Sequence, residues 1–510
     1  MRHALHGLAL TLLLPAAQTA FATDGATGAA SDVAASQPVT LFQKAIAQAG
    51  AGEPEAAMRT LRKAVAAGFQ GYNALRNEPA LAELREREDW MALMADFEAR
   101  NPWIAVIDFK RDRPQSPWTE YAAGWRALAG GSEPHPERGA APGTAGLFGQ
   151  MQAQRASLVG DYDYAHANYF GGMPKADAAE MGLTRLYPAL PALAGLVEGR
   201  QVVMLNESHG HSNQRAANFM FVRELRKLGF THLALEALFQ APTSEDPCRS
   251  SVVKDTALQE RGYALKGTGF YLNDPIYGEL VRMALAEGYT LVAYDHSVPD
   301  PKSPQREQEQ ARNIACVLRD DPDARIVVIG GGGHISKAAG GRMEGGMMGL
   351  RLAAMLEVEP LAIANRVSHL QGLPGAPEEA GYVDPARDGV LAGQAYFADT
   401  ADGPHSIAGY DRAAYIPIPT NRSADAGWLR LAGWRMPAPQ VPLTCERVPC
   451  LLEARRVGED PEAVPGDRCV IEVAGQSCQL FLAPGDYEAV LLDADSQQSA
   501  PVRLVVTRPG

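Results

Sequence analysis

Acids and histidines recur through the middle of the chain, each placed just after a short apolar run. Glu207, His209 and His211 follow Val202-Val203-Met204-Leu205, and Glu236 follows His232-Leu233-Ala234-Leu235. Asp295 and His296 follow TLVAY, and His334 follows IVVIG and three further glycines. A charged group at the end of a buried run is costly unless it is paired or used. Four such positions in succession therefore predict one functional rim. Two chemistries suit the set. In the first, a histidine oriented by a carboxylate takes a proton from water while a second histidine or an arginine stabilises an oxyanion. In the second, Glu207, His209, Asp295 and His334 ligate a divalent metal that activates water. Spacing leaves both open. Ser208 lacks the G-x-S-x-G turn of a serine nucleophile. The run IGGGGH is neither a P-loop nor a dinucleotide fingerprint; its glycines let a substrate or a facing loop approach the backbone.

The elements that must position these residues read as alternating strands and helices. Strands are predicted at 201–205, 232–236, 290–295, 325–330 and 360–364, with DRAAYIPIPT as one more. Helices fall near 212–228, 275–287, 304–319 and 344–356. Phe219, Val222, Leu225 and Leu228 recur at helical spacing before Gly229 stops the first of them. This alternation predicts a mainly parallel α/β sheet flanked by helices, whose strands end on one rim where ligands bind.

With these residues in view, NESHGHSNQR…LALE, then AYD, then REQEQARNI…ARIVVIGGGGHISK…MGLRLAAML, resembles the erythromycin esterase-like / ChaN-like (Tiki) superfamily over residues 190 to 370. The resemblance implies that Glu207 and His209 are the acid and base of the first loop. It implies that Glu236 is the second-strand acid and His334 the late histidine. Arg215 matches a basic residue downstream of the first loop, and Arg306 and Arg312 lie in the helix before the late strand. Asn206 stands where the family usually has Gly, and the E-x-H spacing is nearer the ChaN/Tiki side than the macrolide esterases. Membership implies either an ester or amide hydrolase or a non-catalytic protein that binds a divalent metal or haem.

The flanking regions differ in character. Residues 1–22 read as an export signal: Arg2, an apolar core from Leu8 to Ala17 too short to remain in a bilayer, and an Ala20-Phe21-Ala22 cleavage site. Residues 23–38 form a small, polar linker. Residues 39–180 read as an α-helical module beginning with a tetratricopeptide-like pair and packed on its neighbour, with binding of a protein partner as the alternative. The aromatic residues Tyr162, Tyr164, Tyr169 and Phe170 within it read as core more than as a ligand site. Residues 190–425 carry the α/β domain, and 440–510 are short β-runs predicted as a small β-sandwich-like domain. Four of the six cysteines lie in that last segment. Cys445–Cys450 and Cys469–Cys478 are the favoured disulfides, while Cys248 and Cys316 are either a third pair or two buried thiols. The signal and the cysteines predict a periplasmic or secreted protein. A net charge of −13 without a block of Lys/Arg argues against nucleic acid or membrane after signal cleavage. The expected partner of the rim is a small-molecule or peptide substrate.

Overall fold

The structure, a computed structural model, describes residues 37–69, 75, 78–100, 117–129, 147–168, 175–177, 179–240, 248, 251–295, 304–339, 344–366, 369–371, 395–415 and 427–508. The predicted signal, most of the linker, Tyr169, Phe170 and His296 lie outside these residues.

A nine-stranded sheet forms the centre. Its strands are β1 (Leu183–Pro188), β2 (Val202–Glu207), β3 (His232–Leu235), β4 (Thr290–Ala293), β5 (Ile326–Gly331), β6 (Leu361–Arg366), β7 (Tyr396–Thr400), β8 (Gly403–Pro404) and β9 (Arg412–Tyr415). The order is β8-β7-β9-β6-β2-β5-β3-β4, with β1 paired to β7. The six strands from β9 to β4 run parallel; β1, β7 and β8 add antiparallel pairings at one edge. All five sequence-predicted strands and the additional one over DRAAY are present.

Period-two alternation explains why these runs are apolar on both sides. Val203, Leu205, Leu233, Leu235, Val327 and Ile329 enter one core, whereas Val202, Met204, Ala234, Ile326 and Val328 enter the opposite one. The first face is covered by the helices Ala189–Leu196, Ser212–Lys227 and Pro275–Ala286; the second by Pro304–Asp320 and Met348–Met355. Helix Ser212–Lys227 buries Phe219, Val222 and Leu225 against the sheet. It ends where Gly229 turns left-handed at φ +89°, and Phe230 N–H closes the turn on Leu225 O at 3.1 Å. The adjacent strands β2 and β5 send their following helices to opposite faces. That arrangement opens a crevice at their carboxyl ends.

The helices between 37 and 168 enter two different cores. Gln37–Gly50, Pro54–Ala66 and Glu88–Arg100 form one around Phe42, Met58, Leu61, Trp90 and Phe97. The helices Pro117–Ala129, Leu147–Val159 and Tyr162–Asn168 instead contribute Trp118, Tyr121, Trp125, Ala156 and Tyr164 to the core of the C-terminal region. There the expected sandwich-like domain is corrected. The segment forms a four-stranded antiparallel sheet, β10 (Cys450–Arg456), β11 (Asp467–Ile471), β12 (Gly485–Leu492) and β13 (Val502–Val506), ordered β11-β10-β12-β13. A two-stranded ribbon of Met436–Pro437 and Phe481–Leu482 lies beside it. The helices supply apolar side chains where a second sheet would be needed, so one sheet suffices.

All six cysteines pair: Cys248–Cys316, Cys445–Cys450 and Cys469–Cys478, with Cα separations of 5.4, 5.9 and 6.3 Å. Among the described residues no helix is long and apolar enough to cross a membrane.

Candidate active site

The polar residues of the rim assemble into two carboxylate–histidine groups that meet over β5. The first grows from the end of β2. Glu207 is buried, with 2% of its side chain exposed, and its Oε1 lies 2.7 Å from His209 Nδ1. Its other oxygen accepts from Arg215 Nε at 3.0 Å. Arg215 projects from the first turn of helix Ser212–Lys227 and is fully buried, donating also to Asp274 Oδ2 at 2.6 Å and to the His209 carbonyl at 3.0 Å. Burial works against ionising Glu207. The Arg215 charge and the His209 contact outweigh it and hold its pKa at about 2. Arg215 is pushed well above its usual range by the same carboxylates despite its own burial.

Asp274 has a second role. It caps helix Pro275–Ala286, accepting from Ile276 N–H at 2.7 Å, and it receives the Ser212 hydroxyl at 2.5 Å. The preceding Tyr271 stacks its ring on His209, centroids 3.9 Å apart and 10° from parallel. The imidazole is thus fixed on one side by Glu207 and over one face by Tyr271.

The second group grows from β3, β5 and helix Pro304–Asp320. Glu236 accepts the Gly331 N–H at 2.5 Å and Arg306 Nη2 at 3.0 Å. Arg306 also grips Asp295 at 2.6 and 2.9 Å, and Gln310 donates to Asp295 at 2.7 Å. His334 Nδ1 lies 2.7 Å from Glu307 Oε1, close enough for an ion pair although not aligned as a hydrogen bond. His334 Nε2 sits 3.5 Å from Glu236 Oε1 and 3.3 Å from Arg306 Nη1. Glu307 is fully buried and also takes the Met348 N–H at 2.8 Å, at the start of helix Met348–Met355. Burial alone would discharge His334; Glu236 and Glu307 prevail, so its pKa is raised despite the opposing Arg306.

Gly331 is where the two groups converge. A Cβ there would lie 3.3 Å from the His334 ring, 3.4 Å from Glu236 and 3.9 Å from the His209 ring. A side chain would fill the space between the two imidazoles, and at Gly330 one would strike the Tyr294 hydroxyl. The glycine run serves close approach, as read from the sequence.

Of the expected site residues, Glu207, His209, Glu236, Asp295 and His334 all lie on this rim. Arg215 and Arg306 join them. Arg312 does not: it lies 3.9 Å from Glu309, with 40% of its side chain exposed. His211 heads helix Ser212–Lys227 beside His166, ring centroids 5.8 Å apart, and burial with the nearby Arg215 charge lowers its pKa to about 4. Asn206 ties β2 to β6, its side-chain oxygen accepting the Asn365 N–H.

Sequence reading missed Asp274, Tyr271 and Glu307. The Asp274-Pro275 pair is a helix-start signature that could have drawn attention to the first; the other two carry no local signal.

The metal reading does not fit this geometry. Glu207 spends both oxygens on His209 and Arg215, and Asp295 spends both on Arg306 and Gln310. Among the described residues no group of three or more His, Cys, Asp and Glu is placed to hold a metal ion.

A cavity of about 520 Å³ opens at the opposite rim, lined by residues including Val197, Gln201, Leu228 and Arg325. Arg325 is occupied by the carbonyls of Val197, Arg200 and Leu228, two of which belong to helix C-caps. That cavity lies at the end of the strands away from the carboxylate–histidine groups.

No family model and no curated protein matches the sequence. Among solved structures, that of the type III effector HopBA1 aligns with a TM-score of 0.24 and 16% identity, over 36% of this chain and 86% of that one. The C-terminal region of Pasteurella multocida toxin, described with a thiol-protease-like catalytic triad, aligns with a TM-score of 0.24 and 11% identity. That alignment covers 84% of this chain and 57% of the toxin chain. Likenesses this shallow carry no argument here.

Proposed function

We propose that the protein hydrolyses an ester or amide bond, with His209 as general base and His334, with the Arg306 guanidinium beside it, facing the oxyanion. The observation that carries the reading is the convergence of the Glu207–His209 pair and the Glu307–His334 pair on the small space over Gly331. Glu207, kept ionised by Arg215, accepts from Nδ1 and leaves His209 Nε2 to take a proton. Water adds to the carbonyl carbon as Nε2 accepts its proton. The oxyanion forms against the His334 and Arg306 donors. Collapse breaks the bond to the leaving group, which takes the proton back from His209. Glu236 and Asp295 keep Arg306 and His334 in place. With every cysteine paired, a thiol nucleophile has no part in this scheme.

This is one of the two expectations drawn from the resemblance to the erythromycin esterase-like and ChaN-like proteins, the other being a non-catalytic haem- or metal-binding protein. The test is hydrolysis of a panel of esters, lactones and peptides by the mature protein, beside His209→Ala and Glu207→Gln. Loss of general-base assistance lowers kcat by about 10²–10⁴-fold. Turnover that survives His209→Ala would remove His209 from the mechanism, and inactivity across the panel would remove the hydrolase reading.

A further inference from the structure

The C-terminal sheet contributes a residue to the candidate active site without touching it. Arg468 lies on β11, directly across the ladder from Glu453 on β10, and only 4% of it is exposed. Its Nε donates to Glu453 Oε2 at 2.7 Å. Its Nη1 reaches out of the sheet and donates to two carbonyls at once: Asn273 O at 2.8 Å and Leu158 O at 3.0 Å.

Those two carbonyls belong to the two segments that flank His209. Asn273 sits between Tyr271, which stacks on the His209 ring, and Asp274, which holds Arg215. Leu158 follows Ser157, whose hydroxyl lies 3.3 Å from the His209 carbonyl. One buried guanidinium therefore joins the Tyr271–Asp274 turn, which carries the ring stacked on His209, to the helix end that lies beside the His209 carbonyl. Arg435 reinforces it from the same region, donating to Pro275 O and Gly466 O at 2.7 Å each.

We infer that Arg468 is a positioning residue for His209, and that the C-terminal sheet is part of the active-site architecture rather than an appended module. The inference rests on the proposed base role of His209 for its catalytic meaning, while the geometry can be tested without turnover. Glu453 supplies the charge partner that keeps the guanidinium buried and aimed, and a charge-assisted bond to each carbonyl is stronger than a neutral one. Removing the fork frees the Tyr271–Asp274 turn and the end of helix Leu147–Val159 together.

The experiment is carbethoxylation by diethyl pyrocarbonate at neutral pH, quantified by peptide mass spectrometry as the ratio of His209 to His232. His232 lies at the amino end of β3 and serves as internal reference. In Arg468→Met the ratio rises by about threefold or more, because a lost hydrogen bond to a charged group releases the stacked ring for at least part of the time. Arg468→Lys, which keeps the charge beside Glu453, moves the ratio part of the way back. If an ester in the panel is turned over, kcat falls in Arg468→Met while KM holds. An unchanged ratio in folded Arg468→Met overturns the inference. Should that variant fail to fold, Arg468→Lys carries the test: one ammonium cannot reproduce the fork, so a ratio equal to wild type in the folded Lys variant overturns it equally. An inactive wild type sinks the hydrolase reading alone and leaves the reactivity ratio to decide this one.

Discussion

Replacing Arg215 by Met tests the electrostatic core of the site. Arg215 is fully buried between Glu207 and Asp274, themselves 2% and 0% exposed. Deleting one partner of a buried ionic group leaves uncompensated charge, which costs about 3–5 kcal/mol. The Glu207 titration gives a second route to the magnitude. A carboxyl held at about 2 rather than 4.5 corresponds to stabilisation on the order of 3 kcal/mol at neutral pH. The sign follows from the depressed value. The contribution is complete above the unfolded-chain value of 4.5 and is lost as pH falls toward about 2. In Arg215→Met, Glu207 protonates at a higher pH and needs no counter-ion once neutral. The stability gap between wild type and variant is therefore widest at pH 7 and narrows by about 2 kcal/mol on going to pH 3. Urea denaturation at several pH values, followed by near-ultraviolet circular dichroism and intrinsic fluorescence, reads this directly. A gap that stays constant between pH 7 and pH 3 would refute the reasoning, because the loss would then come from packing alone.

Two further outcomes follow from the second group. His334 has a raised pKa, so its stabilising charge is complete below its ordinary value of 6.5 and fades as pH rises through the folded value. Glu307→Gln removes one of the two carboxylates responsible, and the His334 titration followed by NMR should shift to lower pH; an unmoved titration would mean Glu307 does not act on it. Chelation gives a third outcome. Since Glu207 and Asp295 are already engaged by cations and amides, EDTA leaves any hydrolysis rate unchanged, and inhibition reversed by a divalent metal would reinstate the ligand set Glu207, His209, Asp295 and His334.

Much of this was legible because burial on both faces of a parallel sheet writes itself as apolar runs. Val202–Leu205 and Ile326–Ile329 allow few polar positions, so the first charged residues after them stand out. That is why Glu207, His209, Glu236, Asp295 and His334 stand out in the sequence. What the spacing could not show is which of them pair. Glu307 reaches His334 from a helix 27 residues earlier in the chain, and Asp274 meets Arg215 across 59 residues. Such contacts depend on crossovers, not on local periodicity. The helices at 117–168 misled for a related reason. They follow a helical pair in the chain and so read as its continuation, and nothing local says that their partner is a sheet more than 280 residues downstream.

The same topology explains why two carboxylate–histidine pairs can share one small space without collapsing into a salt bridge network of their own. Strands β2 and β5 are adjacent and parallel, with Glu207 directly beside Gly331, yet their following helices leave on opposite faces. Arg215 therefore reaches Glu207 from one side of the sheet, while Glu307 and Arg306 reach His334 and Glu236 from the other. Each carboxylate is satisfied from behind by a group that cannot cross the sheet. The histidines are left facing each other over a glycine. One is paired to a carboxylate that stays ionised, and the other lies among Glu307, Glu236 and Arg306, so the two imidazoles meet in unlike electrostatic surroundings.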